Sequence, residues 1–121
     1  MPKSRKILVV DDESEIVSLL VRFLTREGYE VSTAMNVKEA LPIYLEYAPF
    51  DVLLYDVWLG EKEGSNGWGV AEKIRALQPD IRVLMFTGRI ALDVPDAVGQ
   101  HTLIAKPFTP ESLREALASL W

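Results

Sequence analysis

Four short apolar runs in this sequence each stop on a residue able to do chemistry. Lys6-Ile7-Leu8-Val9-Val10 ends on Asp11-Asp12-Glu13, and Asp51-Val52-Leu53-Leu54-Tyr55 ends on Asp56. Ile81-Arg82-Val83-Leu84-Met85-Phe86 ends on Thr87, and Thr102-Leu103-Ile104-Ala105 ends on Lys106-Pro107. Runs of this length, apolar at nearly every position, suit parallel strands covered on both faces. Parallel strands point one way, so their carboxyl ends converge on one crevice, where open α/β sheets keep their ligands. Three carboxylates, a hydroxyl and an ammonium would then share a small site. Two like charges about 4 Å apart repel by about 4 kcal/mol at an effective dielectric near 20. Lys106 offsets a single negative charge, and a hard divalent cation is the natural remainder. Magnesium takes a few carboxylates and keeps waters and phosphate oxygens as its other ligands. An aspartate is a workable nucleophile towards a phosphoryl group. A metal, a lysine and a hydroxyl are the groups that stabilise charge on transferring phosphoryl oxygens. The residues alone therefore point to phosphoryl transfer onto Asp56. Each also has a plainer use: Asp11-Asp12 as a helix N-cap, Asp56 as a strand end, Thr87 as a turn residue, Lys106 as an exposed lysine. The recurrence at four strand ends is what favours a site.

The elements that must position these groups are legible between them. Ile16, Val17, Leu19, Leu20, Phe23 and Leu24 recur at helical spacing, and Gly28 stops that helix. Tyr29 to Ala34 reads as a second strand, half polar and suited to a sheet edge. Asn36 followed by Glu39 has the form of a capping box opening a second helix, which carries Pro42 in its second turn and should bend there. A long polar loop, Gly60 to Gly67, precedes a helix over Trp68 to Leu77. The stretch Arg89 to Gly99 is weakly patterned and contains Pro95. Thr109 and Pro110 suit the N-cap and first position of a last helix, whose apolar face is Leu113, Ala116, Leu117 and Leu120. Five strands alternating with five helical segments imply an α/β chain: a five-stranded parallel sheet with helices on both faces, in one doubly wound (βα)5 domain over residues 1–121.

Composition narrows the partners. A chain of 121 residues fits one domain with its own core. The formal net charge of −5 argues against direct nucleic-acid binding by this domain. There is no cysteine, which removes disulfides and thiolate chemistry, and the single histidine cannot make a His-rich metal site. The basic start precedes only Ile7 to Val10, too short for a signal peptide, and no apolar run is long enough to cross a bilayer. A cytoplasmic protein with no membrane partner is the expectation. The first strand is followed by Asp-Asp-Glu rather than a glycine-rich loop, so no nucleotide fingerprint is present.

Taken in order, Asp11-Asp12-Glu13, Asp56, Thr87-Gly88 and Lys106-Pro107-Phe108 resemble the receiver domain of two-component response regulators, over essentially the whole chain. The resemblance implies a flavodoxin-like strand order 2-1-3-4-5. It implies a phosphoacceptor regulator, not an enzyme beyond its own phosphorylation and dephosphorylation. Asp56 would accept phosphate from a histidine kinase or phosphotransfer domain. Asp11 and Asp12 would hold Mg²⁺ with Asp56 and the backbone carbonyl of Trp58. Thr87 would bond the phosphoryl group, Lys106 would pair with it, and the Lys106–Pro107 bond would be cis. A downstream protein or a second copy would be the further partner. Three departures bear on the readout. The loop after Asp56 is a few residues longer than usual, with Gly60 where a proline commonly stands. Leu103 replaces the usual aromatic three before the lysine. The segment from Thr87 to Lys106 is short and interrupted by Pro95, so a short or bent fourth helix is expected. The rival reading is a receiver-fold interaction module that signals without phosphorylation.

Overall fold

The computed structural model describes residues 5–56, 67–87, 102–105 and 108–120. In chain order they form β1 (Lys6–Val10), α1 (Ser14–Arg26), β2 (Glu30–Ala34), α2 (Val37–Tyr47), β3 (Val52–Asp56), α3 (Gly67–Leu77), β4 (Arg82–Thr87), β5 (Thr102–Ala105) and α4 (Pro110–Ala118). The strands make one sheet in the order β2-β1-β3-β4-β5, parallel at every pairing. This is the fold class and strand order expected from the sequence. The helical segment expected within Arg89 to Gly99 lies outside the described residues.

Strand β3 is central, and all five of its residues are buried. Alternation sends successive side chains to opposite faces. Val52 and Leu54 join Ile7, Val9, Leu84 and Phe86 beneath Leu20 and Leu24 of α1 and Leu113 and Leu117 of α4. Leu53 and Tyr55 join Leu8, Val10, Val83 and Met85 beneath Tyr44 of α2 and Val70, Ala71 and Ile74 of α3. Each such side chain contributes about 1.5–3 kcal/mol on full burial, so a run without a polar residue is what a doubly covered strand needs. Edge strand β2 buries only Ala34 fully, which explains its mixed composition.

The helix ends follow from local chemistry. Gly28 adopts φ +93° directly after the C-cap of α1. There its N–H donates to the Thr25 carbonyl, while the Tyr29 N–H donates to that of Leu24. This pair of bonds is a Schellman motif, and only glycine takes that φ without strain. The Asn36 side chain accepts from the Glu39 N–H at 2.9 Å, as a capping residue should. The reciprocal bond differs from the expected box, because the Glu39 carboxylate accepts from the Met35 N–H and from the Asn36 side-chain amide rather than from the Asn36 backbone N–H. Helix α2 runs unbroken through Pro42. Thr109 and Ser112 form a reciprocal capping box at α4, with Pro110 at the first helical position. No basic residue stands in the last turn of α2. Lys6, from β1, supplies the cation instead: its ammonium donates to the Tyr47 carbonyl and lies 5.0 Å from the Phe50 ring centre.

Gln78, just past α3, joins three chain segments at the end of the sheet remote from the strand carboxyl termini. Its carbonyl accepts from the Tyr44 hydroxyl at 2.8 Å and the Phe50 N–H at 3.2 Å, and its amide donates to the Phe50 carbonyl at 2.5 Å. The side chain thus pairs with the backbone of buried Phe50 as a neighbouring strand would. Gln78→Ala leaves both Phe50 backbone groups without this partner. We expect a loss of about 2–3 kcal/mol, read as a lower urea midpoint at unchanged slope. A midpoint equal to the parent's would show that water replaces the clip.

Candidate functional site

The registers of the sheet decide which strand ends meet. Val10 pairs with Tyr55 across β1 and β3, so Asp11 and Asp56 each follow a paired residue on adjacent central strands. Asp56 pairs with Phe86, and Thr87 pairs with Ala105. The backbone of Thr87 therefore closes β4 beside β3, and the chain leaves β5 one residue before Lys106. Thr87's side chain, Trp58, Lys106 and the Lys106–Pro107 bond lie outside what the structure describes, as does the Leu103 side chain. Among the described residues the cis peptide bond is Ala48–Pro49.

Within the described part, the expected acids come together. Asp11, Asp12 and Asp56 each offer a carboxylate oxygen, and Glu13 offers a fourth, all within 4.8 Å of one another. Asp11 is fully buried and Asp56 is 6% exposed, whereas Asp12 and Glu13 face solvent. The pocket therefore has a buried floor and a wet rim. The plainer use of Asp11-Asp12 as an N-cap is not what the structure shows. Glu13 occupies the N-cap of α1 and makes no side-chain cap bond. Its N–H instead donates to Asp11 Oδ1 at 2.9 Å, while the Asp11 N–H donates to the Ala34 carbonyl at 3.1 Å. Asp11 is thus tied to both the β2 edge and the start of α1, which fixes its carboxylate over the sheet end.

A donor set of four hard carboxylate oxygens fits a hard divalent cation and suits no soft metal. Glu13 was not among the metal ligands expected from sequence. The signal was present in the Asp-Asp-Glu run, but a glutamate at a helix start reads first as a solvated acid. On the opposite face of β3, Tyr55 is the largest fully buried side chain. Burial pushes its phenol well above the ordinary range, with Glu72 adding to the shift and Arg75 opposing it. Tyr55 is therefore neutral and works as core beside the acidic residue that follows it.

A five-stranded parallel α/β domain with an acidic pocket at its strand carboxyl ends is the class that fold and site define. The chain belongs to the response regulator receiver domain family, which it matches over residues 7–118. It is 35% identical over 123 aligned positions to the probable transcriptional regulator ycf27 of Cyanidium caldarium, covering 98% of this chain and 47% of that protein. It is 37% identical over 119 positions to the alginate biosynthesis transcriptional regulatory protein AlgB of Pseudomonas aeruginosa, covering 96% of this chain and 26% of that protein. The chain thus spans about half or less of the length of these relatives. Among solved structures it is similar to the response regulator TrrA of Thermotoga maritima, in complex with Mg²⁺-BeF. That likeness has a TM-score of 0.81 at 31% identity and covers 97% of this chain and 99% of that one. The receiver domain protein of Clostridium thermocellum matches with TM-score 0.81 at 29% identity, covering 96% and 93%. Among the described residues no helix is long and apolar enough to cross a membrane.

Proposed function

We propose that residues 1–121 act as one receiver domain in which Asp56 accepts a phosphoryl group, with Mg²⁺, from a histidine kinase or phosphotransfer protein. One observation carries this reading. In a member of the receiver family, the buried Asp56 carboxylate ends the central strand within 4.8 Å of three further acids. The magnesium complex of the similar TrrA supports the choice of ion. Asp11, Asp12 and Asp56, with the Trp58 carbonyl, would hold it. Bound there, magnesium offsets the gathered acids and draws charge from transferring phosphoryl oxygens.

The chain's own groups then have separate tasks. Asp56 presents a carboxylate oxygen to phosphorus. The new O–P bond forms as the donor's N–P bond breaks, and the imidazole nitrogen keeps that electron pair and takes a proton. Asp11, tied to the Glu13 amide, keeps the pocket's acids in place before the donor arrives. Lys106 pairs with the phosphoryl charge and Thr87 donates its hydroxyl to a phosphoryl oxygen. The product is an aspartyl phosphate, so the domain is a regulator and at most catalyses its own loading and unloading. Its acidic charge leaves DNA contact to a further partner, in keeping with relatives named as transcriptional regulators; a cytoplasmic location is part of the same proposal. Intact-mass measurement after incubation with acetyl phosphate and MgCl2 tests the reading. One added phosphoryl group, lost when EDTA replaces MgCl2, is the expected result. A folded protein that stays unmodified with every donor would favour a receiver-fold module that signals without phosphorylation.

A further inference from the structure

We propose that the outer face of α2 is a contact surface for a second copy of this chain, the two helices packing antiparallel about a two-fold axis at Pro42. In an α-helix successive residues turn by about 100°, so Lys38, Glu39, Leu45 and Glu46 all fall within about 60° of Pro42. All five residues are exposed, and Leu45 is 61% exposed despite its apolar side chain. The core uses the opposite side of the helix, through Ala40 and Tyr44. Helix α2 thus turns outward a face with Pro42 and Leu45 at its middle and charges at both ends.

Those charges select the partner. Lys38 stands four residues before Pro42 and Glu46 four after it, about 12 Å apart along the axis. That spacing is too long for an ion pair within the helix, and among the described residues neither side chain has an ion-pair partner. A two-fold axis at Pro42 sets Lys38 of each copy against Glu46 of the other, so two ion pairs close the ends of the contact. Leu45 lies against Glu39 of the other copy. The Glu39 carboxylate is held at its own helix start by the Met35 N–H and the Asn36 amide, which leaves its methylenes for Leu45 to meet. Pro42 meets its own copy at the centre, and its ring has no rotamer freedom to lose. Parallel pairing would set Lys38 against Lys38 and Glu46 against Glu46, so the charges favour the antiparallel arrangement. Helix α2 begins just after the carboxyl end of β2. The two-fold therefore puts the two acidic pockets at opposite ends of the pair, both open. A contact one helix wide belongs among weak, transient associations.

Sedimentation equilibrium on the parent, on Lys38→Glu and Glu46→Lys separately, and on an equimolar mixture of the two variants tests this. Both reversals suit the helix dipole, an acid entering the first turn and a base the last, so each variant should fold and melt near the parent. The parent is expected to dimerise reversibly between about 0.01 and 1 mM. Each variant alone sets like charges together at both ends of the contact, and its Kd should rise about tenfold or more. In the mixture one chain carries acids at both ends and the other bases, so association should return to within about threefold of the parent's. A parent that stays monomeric throughout, or a mixture no more associated than either variant alone, overturns the inference. So does a parent dimer whose Kd neither reversal changes.

Discussion

Asp56→Asn is expected to abolish the phosphoryl adduct, weaken magnesium binding and yet raise the stability of the metal-free protein. An amide oxygen is a poor nucleophile, so the mass gain produced by acetyl phosphate should vanish entirely. The stability change has the opposite sign because the substitution removes one of four gathered charges. Two unit charges about 5 Å apart repel by about 3 kcal/mol at an effective dielectric of 20. Asp12 and Glu13 face solvent, which screens their share, so a net gain of about 1–2 kcal/mol is expected. The gain should shrink as salt shortens the Debye length. Magnesium reverses the order, because the parent gains RT ln(1 + [L]/Kd) from an ion that the variant holds less tightly. Melting curves of both proteins with and without MgCl2 should therefore cross in rank. A variant that melts below the parent in EDTA would show that acid–acid repulsion does not govern the pocket. An adduct that survives the substitution would move the acceptor to another residue.

The sheet was legible because a doubly covered strand has no polar side chain to hide, and β3 and β4 show that pattern openly. The acids Asp11, Asp12 and Asp56 were legible for a related reason. A carboxylate at the end of such a run finds no partner among the apolar side chains, and parallel pairing forces those ends together. What sequence could not supply were choices made by contacts between distant segments. Gln78 looks like any polar residue leaving a helix, and nothing local shows its amide will pair with Phe50, 28 residues away. Lys6 serves as the missing cation at the end of α2 only because β1 passes beneath Tyr47. The N-cap of α1 falls on Glu13, a poor capping type, although two aspartates precede it. Asp11 is occupied by the β2 edge and the Glu13 amide, so pocket geometry prevails there over local capping preference. The same conflict between local preference and observed role marks Asp-Asp-Glu as a place where sequence is set by chemistry.

Phe86 shows how the core reaches the pocket, and its truncation should have the largest effect on stability. The ring is fully buried in the cluster with Leu54, Leu84, Ile104 and Leu113. It stacks on Phe108 with centroids 5.0 Å apart and planes 22° from parallel. Phe86 is also the register partner of Asp56, while Phe108 is two residues past Lys106 in the chain. One ring pair thus joins β4, beside the strand that ends on Asp56, to the segment after β5. Phe86→Ala should lose about 3–5 kcal/mol from the transfer and cavity terms, with the stacked pair adding about 1 kcal/mol. Against a total of about 5–15 kcal/mol for a typical domain, that takes a large share of the margin. Phe108→Ala removes the same ring contact from a half-buried position, leaves a smaller void, and should cost about 1–2 kcal/mol. Because the two side chains share one contact, the double variant should lose less than the sum of the single losses. Urea unfolding of all four proteins measures that difference. Strict additivity would mean that the rings stabilise the fold independently, and that β4 and the segment after β5 are not coupled through this pair.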